Sequence, residues 1–170
     1  AAIPRDMTAV ANALGQPVLR RVDPAAFSAP GVCERLAREV SPLAVRRAGH
    51  FFAENERVER MAAALQAGDM KEYIKQMNAS GASSRSELQN IVPAQHPERT
   101  EMAEALDRAA ALLVSGGAWR IHGGGFAGCI QCLVPEDRFE AFRAAMDGFY
   151  GGGACFALRV RPFGAYALSE

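Results

Sequence analysis

Apolar residues recur at helical spacing through the first two-thirds of the chain and give way to short strand-like runs in the last third. Met7 to Leu14 reads as a short helix stopped by Gly15 and Pro17. Val18-Leu-Arg-Arg-Val22 fits a short strand or an extended connection, and Val32 to Val40 a second short helix. Ser41-Pro42 is a strong helix start, an N-cap followed by proline at the first helical position. The spacing predicts a helix from Pro42 to about Ala67, with Gly68 as its C-terminal stop. Phe51, Val58, Met61 and Leu65 share one face, which is expected in the core. Arg46, Arg47, Glu54, Asn55, Glu56 and Arg57 form a polar face, for which solvation is the default expectation.

Asp69 can cap the next helix, from Met70 to about Ala79. Asn78-Ala-Ser-Gly-Ala-Ser-Ser84 reads as a small, polar break, and Ser84 to Ile91 is again helical. Val92 to Pro97 is a loop. Thr100 is placed to cap a helix reaching about Val114, with Met102, Ala105, Leu106, Ala109, Leu112 and Leu113 on its apolar side and Gly116-Gly117 at its end. Two short apolar runs then flank a glycine-rich hairpin. Pro135-Glu-Asp opens a helix, its acidic residues suited to the positive end of the macrodipole. Phe139, Phe142, Met146 and Phe149 form its inner stripe. After Gly151-Gly-Gly153, Ala154 to Val160 reads as a strand, followed by Arg161-Pro-Phe-Gly164 and an exposed tail. Helices followed by strand, hairpin, strand, helix and strand specify an α+β fold, with a small, largely antiparallel sheet covered by helices on one face.

The 170 residues are enough for one domain with a real core. Lys+Arg and Asp+Glu both number 19, so the net charge is zero, which argues against nucleic acid as the main partner. No apolar run is long enough for a transmembrane helix, and no signal-peptide pattern is present. The chain starts at Ala1 without methionine, and reads as a processed product or an excised piece. Cys129 and Cys132 form a literal C-x-x-C, but residues three apart on a strand point to opposite faces and cannot converge on one metal without a turn. His50, His96 and His122 do not cluster in sequence. Buried free thiols in a reducing cytoplasm are therefore expected for Cys33, Cys129, Cys132 and Cys155, with no metal site.

The chemistry-bearing segment is the loop Gly123-Gly-Gly-Phe-Ala-Gly128. So much glycine admits positive φ angles and lets a ligand approach the main chain without meeting a Cβ. Gly123, Gly125 and Gly128 satisfy G-x-G-x-x-G. A dinucleotide fingerprint, however, needs a helix after the glycines, and here Cys129 to Val134 reads as a strand. No Walker-type phosphate loop occurs anywhere. On residue chemistry alone, a tight hairpin and a ligand-facing loop fit equally well. Asn78, Ser80 and Ser83 offer an amide and hydroxyls, which capping and turn chemistry explains more simply than a ligand does.

In order and spacing, several segments resemble the C-terminal half of galactokinases, in the GHMP kinase superfamily. They are Met7-Thr-Ala-Val-Ala11, Leu19-Arg-Arg-Val22, Phe27, the run Arg46 to Val58, Ala64 to Asp69, Met77-Asn-Ala-Ser80 and Gly123 to Cys129. The last resembles the third superfamily motif, a glycine-rich loop bordering the active site. Ala127 stands where glycine is common, and Asn90 to Pro97 differs from the usual Cys-Pro-Glu-Leu-like run.

The resemblance implies a GHMP-kinase C-terminal domain over 1–170, with a ferredoxin-like sheet and extra N-terminal helices. It implies an intact cytoplasmic enzyme that uses ATP and magnesium to phosphorylate the anomeric hydroxyl of galactose. The phosphate loop, the catalytic aspartate and the catalytic arginine would lie in an N-terminal lobe outside this chain, so the chain alone is expected to be inactive and to bind no cofactor tightly. Gly123, Gly124, Gly125, Phe126 and Gly128 would present main chain to the sugar and phosphates. Asn78, Ser80 and Ser83 are further candidates for the same cleft, and Arg120 and His122 could face it. A catalytically inactive sugar-sensing regulator, another GHMP kinase and a free-standing ferredoxin-like binding domain are the alternatives.

Overall fold

A computed structural model describes residues 2–126 and 128–160. The chain divides into two compact units, Ala1–Val134 and Pro135–Glu170. In the first, helices α1 (Ala2–Ala13), α2 (Pro24–Phe27), α3 (Val32–Glu39), α4 (Pro42–Ala67), α5 (Met70–Ser83) and α6 (Glu101–Leu112) precede an antiparallel pair, β1 (Ala118–Ile121) and β2 (Ile130–Leu133). The pair is in register from Ala118 opposite Leu133 to Ile121 opposite Ile130. The fold is α+β, as the patterning requires.

Helix α4 has the bounds its caps dictate. Ser41 Oγ accepts the Ala44 N–H at 3.0 Å, and Gly68 closes the helix at φ 70°. Each such side-chain cap stabilises by about 1 kcal/mol. Asp69 then accepts the Glu72 N–H at 2.9 Å and starts α5. Thr100 sits at the N-cap position of α6 but makes no capping bond. Its hydroxyl donates instead to Glu104 Oε1 at 2.7 Å.

Two apolar clusters of described residues lie in the first unit. Val10, Ala11, Leu19, Val22, Phe27, Leu36, Ala44 and Ala48 form one, with Phe51 and Phe52 packed against it. Ile91, Leu106 and Ile121 form the other, with Met102, Trp119 and Ile130. The first cluster explains why Leu19–Arg21 is a 3₁₀ turn and not a strand or an extended connection. Leu19 and Val22 are both buried in it, and a strand would send residues three apart to opposite faces.

Four further expectations are corrected. The segment 78–84 is not a break, because α5 runs unbroken to Ser83. The helix expected over Ser84 to Ile91 is a π-helical turn, Ser84–Leu88, ended by Gln89 at φ 56°. The stripe expected in the core of α4 is not buried along its length: Val58 is 64% and Leu65 53% exposed. The inner face of that helix carries Arg47 and His50 instead. The thiols are also less buried than expected, since Cys33 and Cys129 are exposed and Cys132 and Cys155 are partly buried. Cys129 lies at the mouth of the hairpin, next to the open loop.

The second unit holds a 3₁₀ turn, Glu136–Arg138, and helix α7 (Phe139–Tyr150). Phe142 and Met146 are its buried residues, while Phe149 is exposed. Asp147 Oδ1 accepts the Cys155 N–H at 2.9 Å and turns the chain after the helix. Ala154 to Val160 forms no strand. Its alternation is strand-like, but a strand also needs a partner ladder to take up its N–H and C=O groups, and none occurs there among the described residues. Arg161 to Glu170 lies outside the described residues.

Candidate functional site

The glycine loop joins β1 to β2 directly, so the setting is strand, loop, strand. The His122 N–H donates to Cys129 O at 3.0 Å and closes the ladder below the loop. Gly123, Gly125 and Gly128 have φ values of 70°, 82° and 144°, and Phe126 is left-handed at 65°. For Phe126 that conformation is costly, and surrounding contacts must hold it.

Those contacts come from Asn90, which sequence patterning does not single out. Its main-chain oxygen accepts the Phe126 N–H at 2.9 Å. Its Nδ2 donates to Gly124 O at 3.3 Å. A Cβ on Gly125 would overlap the Asn90 carbonyl oxygen, so glycine is required there by both space and φ. The opposite side of the loop is open. A Cβ on Gly123, Gly124 or Gly128 would meet nothing within 4 Å among the described residues. The loop is therefore clamped on one side and accessible on the other.

Asn78, Ser80 and Ser83 do not join the loop through any hydrogen bond among the described residues. Asn78 lies against the edge of β1: Nδ2 donates to Gly117 O at 3.1 Å, and Oδ1 accepts the Trp119 N–H at 3.1 Å. Ser80, fully buried, donates to Glu54 Oε2 at 2.7 Å. Ser83 Oγ lies 2.9 Å from His50 Nδ1. Gly81 lets α5 lie close to β1, for a Cβ there would sit 2.7 Å from Trp119 O.

These bonds reveal a buried polar seam between α4 and α5. Arg47, His50, Glu54 and Arg57 follow each other at helical spacings of three and four, which puts them on one face of α4. Arg47 pairs with Asp6 and donates through Nε to Leu88 O at 3.1 Å. Arg57 pairs with Glu54, whose other oxygen takes the Ser80 hydroxyl. Burial holds the His50 imidazole below its ordinary pKa, with Glu54 opposing and Arg57 and Arg120 reinforcing that effect. Of the face expected to be solvated, Arg46 and Glu56 are exposed, but Arg47 is buried and Glu54, Asn55 and Arg57 are partly buried. The 3–4–3 spacing was the signal; charge type alone pointed the other way. Arg120 is partly buried and His122 exposed.

Asn90 carried no comparable signal. Among the described residues, no three of His, Cys, Asp or Glu come together as a metal site. No helix there is long and apolar enough to cross a membrane.

No protein-family model matches the chain. A crystal structure of Lactococcus lactis galactokinase complexed with galactose is similar in fold, with a TM-score of 0.63 over 88% of this chain and 24% sequence identity. The fold is galactokinase-like. The match takes in 35% of that galactokinase, so the chain spans about a third of its length. The galactokinase-like fold holds the clamped hairpin and the polar seam in one unit, Ala1–Val134.

Proposed function

We propose that this chain is the C-terminal part of a galactokinase-like sugar kinase, which transfers the ATP γ-phosphoryl group to the anomeric hydroxyl of galactose. The observation that carries this reading is the likeness in fold to a galactokinase over 88% of the chain. Phosphoryl transfer depends chiefly on positioning and electrostatic stabilisation. The glycine loop, held from behind by Asn90 and open in front, suits that role, because small residues let substrate meet main chain. The phosphate loop, the catalytic aspartate and arginine, and the magnesium-binding groups belong in this reading to an N-terminal lobe. That lobe is the partner of residues 1–170, which act as one C-terminal domain of a cytoplasmic enzyme.

The test is galactose-dependent ADP release by the intact protein in the presence of Mg-ATP. Turnover with galactose supports the proposal. Galactose binding without turnover would replace it with a sugar-sensing regulator, and turnover only with a different small alcohol would replace it with another GHMP kinase. Residues 1–170 titrated alone with ATP or galactose are expected to show no tight binding by calorimetry, because the site is divided between lobes.

A further inference from the structure

Asn90 is 2% exposed and engages three consecutive residues of the glycine loop. It accepts from Phe126, donates to Gly124 and occupies the space beside Gly125. The chain leading to it is itself anchored. Arg46 pairs with Glu87 at 3.2 Å and donates to Ser86 O, and Arg47 donates to Leu88 O at 3.1 Å. Gln89 then turns at φ 56°, its N–H held by Ser84 O at 2.9 Å. A firm path therefore runs from α4 through 86–90 to the loop.

The Asn90 amide carries a cost. Its Oδ1 is buried and has no hydrogen-bond partner among the described residues. Such an orphan is rare and unfavourable. Turning the amide over would not relieve it, because oxygen would then face the Gly124 carbonyl. The side chain keeps the orientation that holds the loop and leaves its own acceptor unfilled.

We propose that Asn90 is the positioning residue of the glycine loop, fixing the main chain of Gly124 to Phe126 where phosphoryl transfer requires it. The catalytic half of this inference rests on the kinase reading above. A residue of this kind acts by keeping reacting groups aligned, and small misplacements are costly to rate.

Two measurements on the intact protein separate the two ideas. The first is amide hydrogen exchange read residue by residue. The Phe126 amide, held by the Asn90 main-chain oxygen, should exchange at least about tenfold more slowly than an unprotected loop amide. Asn90→Ala keeps that acceptor but loses the side-chain bond to Gly124. The loosened loop should lose protection at Phe126 while Leu113, whose N–H is held by Ala109 O at 3.0 Å, stays protected. Unprotected exchange at Phe126 in the wild type would overturn the proposal. The second is kinetics of Asn90→Ala and the isosteric Asn90→Asp, which keeps the volume but loses the donor to Gly124. Both should lower kcat by about tenfold or more, with KM for galactose changed less than about threefold. Wild-type kcat per folded molecule in Asn90→Asp would overturn the proposal. If the intact protein phosphorylates no galactose yet Phe126 behaves as expected, the kinase reading fails and the anchoring of the loop by Asn90 stands.

Discussion

The Asn78 side chain binds the edge of β1 as a neighbouring strand would: its Oδ1 accepts the Trp119 N–H at 3.1 Å. Its Nδ2 meanwhile donates to Gly117 O at 3.1 Å. One amide thus satisfies a donor and an acceptor that β2, pairing on the other side, cannot reach. Exposed strand edges are a liability, and a helix laid along them is one remedy. Asn78→Ala should leave both backbone groups unpaired and destabilise the first unit by about 1–3 kcal/mol. Denaturant unfolding checks this: the midpoint should fall with little change in slope. An unchanged midpoint would show that water replaces the amide without loss.

Gly81 and Gly49 should respond to alanine with opposite signs. Both lie inside helices, where alanine is favoured over glycine by about 1 kcal/mol. Around Gly49 a Cβ would meet nothing within 4 Å, so Gly49→Ala should raise stability by roughly that amount. At Gly81 the Cβ would sit 2.7 Å from Trp119 O and 3.3 Å from Arg120 Cβ. Backbone oxygen cannot move aside cheaply, so the steric cost of about 1–3 kcal/mol outweighs the propensity gain. Thermal unfolding of the two variants should diverge in direction, and a stabilised Gly81→Ala would refute close packing of α5 on β1.

His50 makes stability depend on pH. Burial lowers its pKa, with further lowering from Arg57 and Arg120 and partial opposition from Glu54 and Glu87. Above the ordinary imidazole pKa of about 6.5, both the folded and unfolded forms are neutral and the group has no effect. As pH falls below that value, the unfolded chain takes up a proton that the folded protein resists. Stability is therefore lost from about pH 6.5 downward until the folded pKa is passed. A His50→Gln variant can still meet the Ser83 hydroxyl, and it should show a shallower loss of stability between about pH 6.5 and 5. Equal slopes in the two proteins would assign the acid sensitivity to other groups.

Local chemistry made much of this fold legible in the sequence. Ser41, Pro42, Gly68 and Asp69 bound α4 and start α5 through short-range caps, which need no tertiary information. The hairpin was legible for the same reason. What was hidden depends on partners distant in sequence. Asn78, Ser80, Gly81 and Ser83 look like a break because their side chains favour turns. In the fold, those side chains bond across to β1, Glu54 and His50, and Gly81 is small enough for contact, so the helix continues. Glu54 looked solvated because Ser80 reaches it only after α4 and α5 meet, whereas its pair with Arg57 is local to α4. Asn90 was illegible because its role lies in three loop residues more than thirty positions away.

Gly124 and Gly125 allow loop function to be separated from loop stability. Gly125 has φ 82° and no room for a Cβ beside Asn90, so Gly125→Ala should destabilise by about 1–3 kcal/mol. For a unit of this size that corresponds to a fall of several degrees in Tm. Gly124 lies on the open side of the same turn, and a Cβ there meets nothing within 4 Å among the described residues. Gly124→Val should therefore leave Tm nearly unchanged. If the open side faces substrate, the added bulk will occupy space needed by sugar or phosphate, and kcat for the proposed galactose phosphorylation by the intact protein should fall by about tenfold or more. The paired result, activity lost without stability at 124 and stability lost at 125, is expected only if the clamped side is structural and the open side works. Unchanged kinetics in a well-folded Gly124→Val enzyme would remove the loop from the active site.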